Sequence, residues 1–187
     1  MSLLSFKNLL DANQITKEDA LSILSLAKKY QEGSLKGKKH LYFCRGNILA
    51  TLFFEPSTRT RFSFESAMLR LGGQVISLEN AETTSIKKGE TLADTARIMS
   101  GYADMIVMRH PKENSVASFA EYASVPVINA GDGANQHPTQ ALVDSYTIFR
   151  EKGRLENLTI GFMGDLKFSR TVFCLLRHTH IQVHRYA

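Results

Sequence analysis

The stretch FFEPSTRTRFSFESAMLRLGG, residues 53–73, joins an apolar segment to an amphipathic one. The segment ILATLFF at 48–54 is continuously apolar, which is typical of a strand buried on both faces of a parallel sheet. Residues 59–71 place Phe62, Ala67, Met68 and Leu71 on one side of a predicted helix that ends at 72–73. Between the two elements, every residue from 57 to 61 carries a hydrogen-bond donor. The stretch therefore predicts a strand that turns into a helix through a polar site.

The same alternation of strand and helix patterns continues along the chain. A helix over 17–31 is predicted to begin at a Thr16–Asp19 capping box and to end at Gly33. Short loops and alternating elements predict an α/β fold, a parallel sheet covered by helices on both faces, with the start of a second α/β domain. The other predicted strands are 74–78, 104–109, 125–130, 158–164 and 181–186, and the other predicted helices are 90–100, 115–122, 138–150 and 169–177.

Polar loops follow five of the predicted strands, and in a parallel sheet such loops meet at the carboxyl edge, where ligands bind. Free N–H groups in the first turn of a helix attract anions, and arginine adds a fork suited to phosphate. The simpler interpretation is that Ser57 caps the helix and the arginines are solvated. Five consecutive donors favour a phosphate or carboxylate site instead. The five loops are EPSTRT, ETTSIKKGE, RHP, GDGANQHPTQ and GDLKFSR.

Side chains in the other loops extend this site towards a carbonyl group. Arg109 ends a predicted strand, and His137 precedes a helix start, where it can donate to an oxygen while Gln140 meets an amide. The loop at 83–88 is either solvated surface or an anion-contacting flap. The sequence lacks a glycine-rich phosphate loop and metal-ligand spacing, so we expect neither a nucleotide nor a metal. It also lacks a nucleophile elbow, so no Ser–His–Asp arrangement is expected. The residues predict a small phosphorylated carbonyl compound that a substrate amine attacks directly.

Composition is compatible with this hypothesis. The chain has 187 residues and a formal net charge of +5, and its basic residues are scattered apart from KGKKH at 36–40, which favours a solvated loop. An anionic small substrate fits this balance, and a general anion or nucleic-acid binder is the competing class. Cys44 and Cys174 match no metal or redox spacing, which predicts free thiols in a reducing cytoplasm. The start has no signal-peptide pattern, and no apolar run approaches the ~20 residues that span a bilayer.

Four ordered motifs resemble the catalytic chains of the aspartate carbamoyltransferases, within the aspartate/ornithine carbamoyltransferase family. The likeness extends from Phe6 to about Val172. Ornithine enzymes share S-T-R-T-R but usually have H-P-C-Q where this chain has H-P-T-Q at 137–140. The resemblance implies carbamoyl transfer from carbamoyl phosphate to the α-amino group of L-aspartate, giving N-carbamoyl-L-aspartate and phosphate for pyrimidine biosynthesis. Besides 53–73, the motifs are KKGETLADTARIMSGYADMIVMRHP (87–111), VPVINAGDGANQHPTQALVD (125–144) and GDLKFSRTV (164–172).

The resemblance also implies a role for each matching residue in carbamoyl phosphate binding. Residues 57–60 would bind the phosphate, with Thr60 also near the carbonyl oxygen. Arg109 would bridge the phosphate and carbonyl oxygens, His137 would polarise the carbonyl, and Gln140 would hold the carbamoyl NH2 group. The implied catalytic residues are Arg59, Thr60, Arg109 and His137, and the implied carbamoyl phosphate ligands are Ser57, Thr58, Arg59, Thr60, Arg109, His137 and Gln140.

Aspartate binding and assembly are implied in the same way. Arg170 and Lys88 would bind aspartate, and Lys88 would do so in a neighbouring subunit, because family members form homotrimers with shared active sites. The hydroxyl ligand of that loop is either Thr84 or Ser85, since the loop is one residue shorter than a common family version. No cofactor, nucleic acid or membrane partner is implied, and the resemblance leaves regulatory subunits open.

Family chains contain two domains, and several family motifs of the second do not occur in these 187 residues. The missing motifs are R-x-Q, H-P-L-P and a closing C-terminal helix. We expect a carbamoyl-phosphate-binding domain at 1–135, a linking helix at 136–150 and an incomplete aspartate-binding domain at 151–187. We therefore expect carbamoyl phosphate binding to be retained and aspartate turnover to be reduced or lost. The alternative is a non-catalytic fragment that binds carbamoyl phosphate or other subunits.

Overall fold

The computed structural model describes residues 4–35, 41–79, 89–163 and 182–186. These residues form a four-stranded parallel sheet and a separate parallel strand pair, with helices between the strands. The strands are β1 (Ile48–Phe53), β2 (Gln74–Glu79), β3 (Met105–His110), β4 (Val127–Asp132), β5 (Thr159–Met163) and β6 (Gln182–Tyr186). The helices are α1 (Lys17–Leu35), α2 (Thr58–Arg70), α3 (Leu92–Ser100), α4 (Ser115–Ala120) and α5 (Pro138–Lys152), preceded by a 3-10 turn at Ala12–Gln14.

The sheet has the strand order β2-β1-β3-β4, so β1 lies inside it with a neighbour on each side. Leu49 and Phe53 of β1 pack with Met68 of α2 on one face. Ala50 and Leu52 pack on the other face with residues of α3 and α4. Each fully buried aliphatic side chain contributes roughly 1.5–3 kcal/mol relative to exposure. This two-sided burial confirms the predicted α/β architecture.

The edge of the sheet at β4 is covered by the start of the chain. The Leu9 amide donates to the Val127 carbonyl oxygen at 2.9 Å, and the Asn129 amide donates to the Leu9 carbonyl oxygen at 2.8 Å. The buried Asn129 side chain donates from Nδ2 to the Leu10 carbonyl oxygen. These bonds satisfy backbone groups that an edge strand would otherwise leave to water or to another chain.

A third apolar cluster joins α1, α5 and the segment before β5. Leu24 of α1, Ala141 of α5 and Leu155 are buried together. Ile128 of β4 contacts this cluster and the cluster under α2, so α5 and α2 cover the same face of the sheet. Ile160 of β5 also packs against the third cluster, which brings the β5–β6 pair to the end of α5. The parallel pairing of β5 with β6 agrees with the predicted start of a second α/β unit.

Two local predictions were wrong. Gly33 does not end the first helix, which continues to Leu35, because Gly33 has no positive φ and so does not adopt the left-handed conformation of a C′ glycine. In α2, Phe62 is 52% exposed and Ala67 is also exposed, whereas Phe64 packs into the core cluster with Met68. Residues four apart on a helix share a face, so these two set the buried side. The predicted helix at 169–177 lies outside the described residues.

The predicted capping box at the start of α1 is confirmed, and its carboxylate also accepts hydrogen bonds from the N-terminal segment. Asp19 is 5% exposed and accepts four hydrogen bonds, two from Thr16 and two from Ser5. Burial raises the pKa of Asp19, but the bonds from Ser5 and Thr16 outweigh burial and lower the pKa to about 2. The ionised carboxylate thus ties the N-terminal segment to the first turn of α1.

We predict that Asp19→Asn lowers the free energy of unfolding at pH 7 by roughly 1–2 kcal/mol, because the variant loses charge-assisted bonds near the surface. Since the folded pKa is depressed, this contribution is present above the ordinary value of 3.8 and is lost as the pH falls towards 2. Urea unfolding at several pH values measures both effects. The matched control is Asp94→Asn, which changes the exposed capping-box carboxylate of α3. Equal losses in the two variants would contradict the assigned role.

Candidate active site

The candidate site begins at the turn between β1 and α2. Ser57 is the N-cap of α2 with φ −155° and ψ 83°, and its side chain makes no capping hydrogen bond. Ser57 therefore occupies the cap position, but its hydroxyl does not satisfy an N–H group of the helix. Thr58 is the first helical residue, so the unsatisfied N–H groups of the first turn lie at the carboxyl edge of the sheet. A pocket of about 210 Å³ opens here, lined by Phe53, Glu55, Pro56, Ser57, Thr58, Arg61 and Glu79.

Arg109 lies at the same edge, on the neighbouring strand β3. Its side chain is largely buried, so it is not a strand-end charge that extends into solvent. Its Nε donates to Glu55 Oε2 at 3.3 Å, and Nη1 donates to the Ala130 carbonyl oxygen at 3.4 Å. Gly131 has φ +123°, and a Cβ there would lie 3.2 Å from Arg109 Nη1. The positive φ of Gly131 and the close approach of the Arg109 guanidinium therefore both favour glycine at this position.

His137 stands at the start of α5, the next helix along this edge. It is the N-cap residue, followed by Pro138 at the position where proline suits a helix. Burial lowers the pKa of His137, and the positive charge of Arg109 lowers it further, to about 4. At neutral pH the imidazole is therefore uncharged, with one nitrogen that donates and one that accepts. Thr139 Oγ1 lies 3.5 Å from His137 Nδ1.

Asp132 orders the loop that leads from β4 to His137. Its carboxylate is buried and accepts from the Asn114 amide at 2.9 Å, the Gln136 amide at 2.8 Å and Asn135 Nδ2 at 3.1 Å. The sequence analysis did not single out Asp132, although an Asp followed by Gly, Ala and Asn is typical of a loop organised by its own side chain. The carboxylate positions the loop that carries His137.

The predicted site residues differ in how closely the structure brings them together. Ser57 and Thr58 line the pocket, and the charges of Arg109 and Glu55 act on His137. Arg59 is exposed and is not among the residues that line this pocket. The Thr60 carbonyl oxygen accepts from Ser63, and Gln140 Nε2 donates to Asp144 at 2.9 Å. Four predicted residues lie outside the described part of the chain, namely Thr84, Ser85, Lys88 and Arg170.

Sequence reasoning also missed the carboxylates that surround the cations. Glu55, two residues after the end of β1, pairs with Arg109, while Glu65 and Glu79 pair with Arg61. The available indication was spacing, because Arg61 and Glu65 are four residues apart on a predicted helix. His110, next to Arg109, has structural contacts: its Nδ1 accepts from the Lys112 amide, and its ring packs against the ring of Phe54.

Within residues 4–35, 41–79, 89–163 and 182–186, no group of three His, Cys, Asp or Glu side chains is placed to hold a metal ion. Among the described helices, none is long and apolar enough to cross a bilayer.

The candidate site lies within the part of the chain that matches a known protein family. The family model of the carbamoyl-phosphate-binding domain of aspartate/ornithine carbamoyltransferases matches residues 7–150. The chain belongs to this family. It is 54% identical over 170 residues to the aspartate carbamoyltransferase catalytic subunit of Methanocaldococcus jannaschii, covering 91% of this chain and 55% of the relative. The corresponding subunit of Thermococcus onnurineus is 55% identical over 169 residues. The chain spans about 55% of the length of the curated relatives it matches.

Solved structures confirm the fold. Aspartate transcarbamoylase from Trypanosoma cruzi in complex with carbamoyl phosphate aligns with a TM-score of 0.89 and 34% identity, over 98% of this chain and 67% of that chain. The catalytic subunit from M. jannaschii aligns with a TM-score of 0.86 and 48% identity, over 96% of this chain and 60% of that chain. The resemblance inferred from the four motifs is thus confirmed.

We predict that Arg109→Gln raises the pKa of His137, because the substitution removes the nearby positive charge but keeps most of the burial. NMR titration of the His137 ring protons from pH 3.5 to 8 measures this shift. Because the folded pKa lies below the ordinary 6.5, His137 contributes stability that falls as the pH drops from 6.5 to about 4. Arg150→Gln, an exposed change near the end of α5, is the control. A His137 that titrates near 6.5 in the unsubstituted chain would contradict the assignment.

Proposed function

We propose that this chain binds carbamoyl phosphate at the carboxyl edge of its sheet. We further propose that the protein transfers the carbamoyl group to the α-amino group of L-aspartate, giving N-carbamoyl-L-aspartate and phosphate. The observation that carries the proposal is that a cationic Arg109 lies close enough to an uncharged, half-buried His137 to lower its pKa. Both residues lie at the same sheet edge as the first turn of α2. Family membership and the carbamoyl phosphate complex of the T. cruzi relative support it.

In this proposal the phosphate binds to the first turn of α2. Residues 57–60 bring hydroxyl donors, the Arg59 guanidinium and the free backbone N–H groups of the helix start. Arg109 uses two of its five N–H groups for Glu55 and Ala130, which leaves others to donate to phosphate and carbonyl oxygens. These charge-assisted bonds orient the phosphate and leave the carbonyl carbon facing the amine.

The carbonyl group would be activated by His137 and Gln140. A neutral imidazole donates one N–H to the carbonyl oxygen, where negative charge develops during attack. Gln140, whose amide nitrogen donates to Asp144, offers its carbonyl oxygen to the carbamoyl NH2 group. The aspartate amine forms the new C–N bond, the bond from carbon to the phosphate oxygen breaks, and the leaving phosphate takes the proton that the amine loses. The low pKa of His137 keeps it a hydrogen-bond donor without a charge of its own.

Other features of the proposal rest on the resemblance. Arg170 and Lys88 would bind aspartate, with Lys88 and either Thr84 or Ser85 supplied by a neighbouring subunit of a homotrimer. The domain boundaries would be 1–135 and 151–187, joined by the helix at 136–150. The reaction would serve pyrimidine biosynthesis in the cytoplasm, without a cofactor, and regulatory subunits remain an open part of the assembly.

We predict that the purified 187-residue chain binds carbamoyl phosphate and that Arg109→Gln weakens binding at least about tenfold, since one charge-assisted contact is lost. Isothermal titration calorimetry measures the affinity, and Lys112→Gln, an exposed change just after β3, is the control. A colorimetric assay for N-carbamoyl-L-aspartate, with both substrates present, measures transfer.

The outcomes separate the candidate functions. Binding together with product supports transfer by this chain itself. Binding without product supports the alternative of a fragment that binds carbamoyl phosphate without catalysis. No binding of carbamoyl phosphate at any accessible concentration contradicts the proposal, and steep salt-dependent binding to random duplex DNA would favour the nucleic-acid class.

A further inference from the structure

Arg61 lies on the wall of the pocket at the start of α2, between two carboxylates. Its guanidinium pairs with Glu65 Oε1 at 3.8 Å on one side and with Glu79 on the other. Arg61 and Glu79 line the same pocket as Ser57 and Thr58. The family resemblance gave Arg61 no role, and the proposed function does not use it. Arg61 is therefore a largely buried cation with two negative partners, and it lies beside the proposed phosphate site.

On the inner side, Arg61 is anchored by a network that spans three elements. Glu65 Oε1 accepts from Thr51 Oγ1 of β1 at 3.0 Å and from Ser77 Oγ of β2 at 2.9 Å. Thr51 is fully buried, and Thr51 and Ser77 are register partners whose hydroxyls lie 2.9 Å apart. The Glu65 carboxylate is thus held by two hydroxyls, of which Thr51 is buried and Ser77 is exposed, and its own side chain is largely buried beside the guanidinium. Moving it would remove one partner of the buried Thr51 hydroxyl.

On the pocket side, the partner is held far less firmly. The Glu79 side chain is 63% exposed, whereas those of Arg61 and Glu65 are 15% and 17% exposed. Ion pairs with an exposed member contribute little, since water and salt compete for both charges. Arg61 therefore has one fixed partner and one that an incoming anion can replace.

We propose that Arg61 is a further anion-contacting residue of this pocket and that Glu79 is its internal counter-ion, which the phosphate displaces. Glu65 acts as a positioning residue, because it holds the guanidinium on the pocket wall through the Thr51–Ser77 network. This inference rests on the proposed function, since it concerns the same phosphate site. Glu79 then sets the affinity: its carboxylate occupies the cation in the empty pocket and repels a dianion that approaches.

The test is a double-mutant cycle measured by calorimetry with inorganic phosphate, using the full 187-residue chain. Glu79→Gln is expected to tighten phosphate binding about two- to tenfold at low ionic strength, and the gain should shrink at high salt. Arg61→Gln is expected to weaken binding. In the Arg61→Gln background most of the gain from Glu79→Gln should disappear, because the freed guanidinium is absent.

Two controls keep the result interpretable. Glu121→Gln removes the same charge from an exposed position beyond the end of α4 and should leave phosphate affinity unchanged. Because Arg61→Gln also removes the partner of Glu65 and can disturb folding, the single Glu79→Gln variant at the exposed position carries the test by itself. Thermal unfolding should show little change for Glu79→Gln.

The outcomes distinguish failure of this inference from failure of the proposed function. If the unsubstituted chain binds phosphate and Glu79→Gln leaves the affinity unchanged or weaker, the inference is overturned and the proposed function stands. An equal gain from Glu79→Gln with and without Arg61 overturns the counter-ion role. A lack of phosphate and carbamoyl phosphate binding by every chain overturns both the inference and the proposed function.

Discussion

The burial of β1 on both of its faces is the constraint on which the other features depend. Its alternate side chains pack against α2 on one side and against α3 and α4 on the other, so a one-residue slip would move each set to the opposite face and lose its packing. Thr51 is a buried polar residue within this strand, and its hydroxyl is matched by Ser77 and Glu65. The carboxyl end of β1 is thereby held in register with β2 and β3, and the polar turn at 55–58 inherits that position.

The parallel sheet brings side chains from distant parts of the chain together at one edge. Glu55, Arg109 and His137 come from three separate segments of the chain, and the sheet brings them close enough for the charges of Glu55 and Arg109 to act on His137. Two of the arginines at this edge have a carboxylate partner that follows or ends another strand, Glu55 for Arg109 and Glu79 for Arg61. The same edge therefore holds both cations and carboxylates that offset part of their charge.

The sequence predicted the strands because they are continuous apolar segments. It predicted the starts of two helices because Pro138 and the Thr16–Asp19 box are local signals of a helix N-terminus. It also predicted Arg109 and His137 as site residues, and the structure places them near the end of β3 and at the start of α5. It failed for Gly33 and Phe62, whose conformation and exposure depend on neighbours from elsewhere in the chain. The partners of the arginines could not be predicted either, since Glu55–Arg109 and Arg61–Glu79 contacts arise only from strand order and register.

The hydrogen bonds between Leu9 and β4 also bear on how the chain reaches its structure. Asn8 and Val127 are bonded across 119 positions of sequence, so the outer edge of the sheet is completed by residues that are synthesised well before β4. Contacts of such separation carry a loop-closure cost and tend to slow folding. During synthesis on the ribosome, residues 8–9 cannot form these bonds until β4 has been made. This edge of the sheet is therefore completed late.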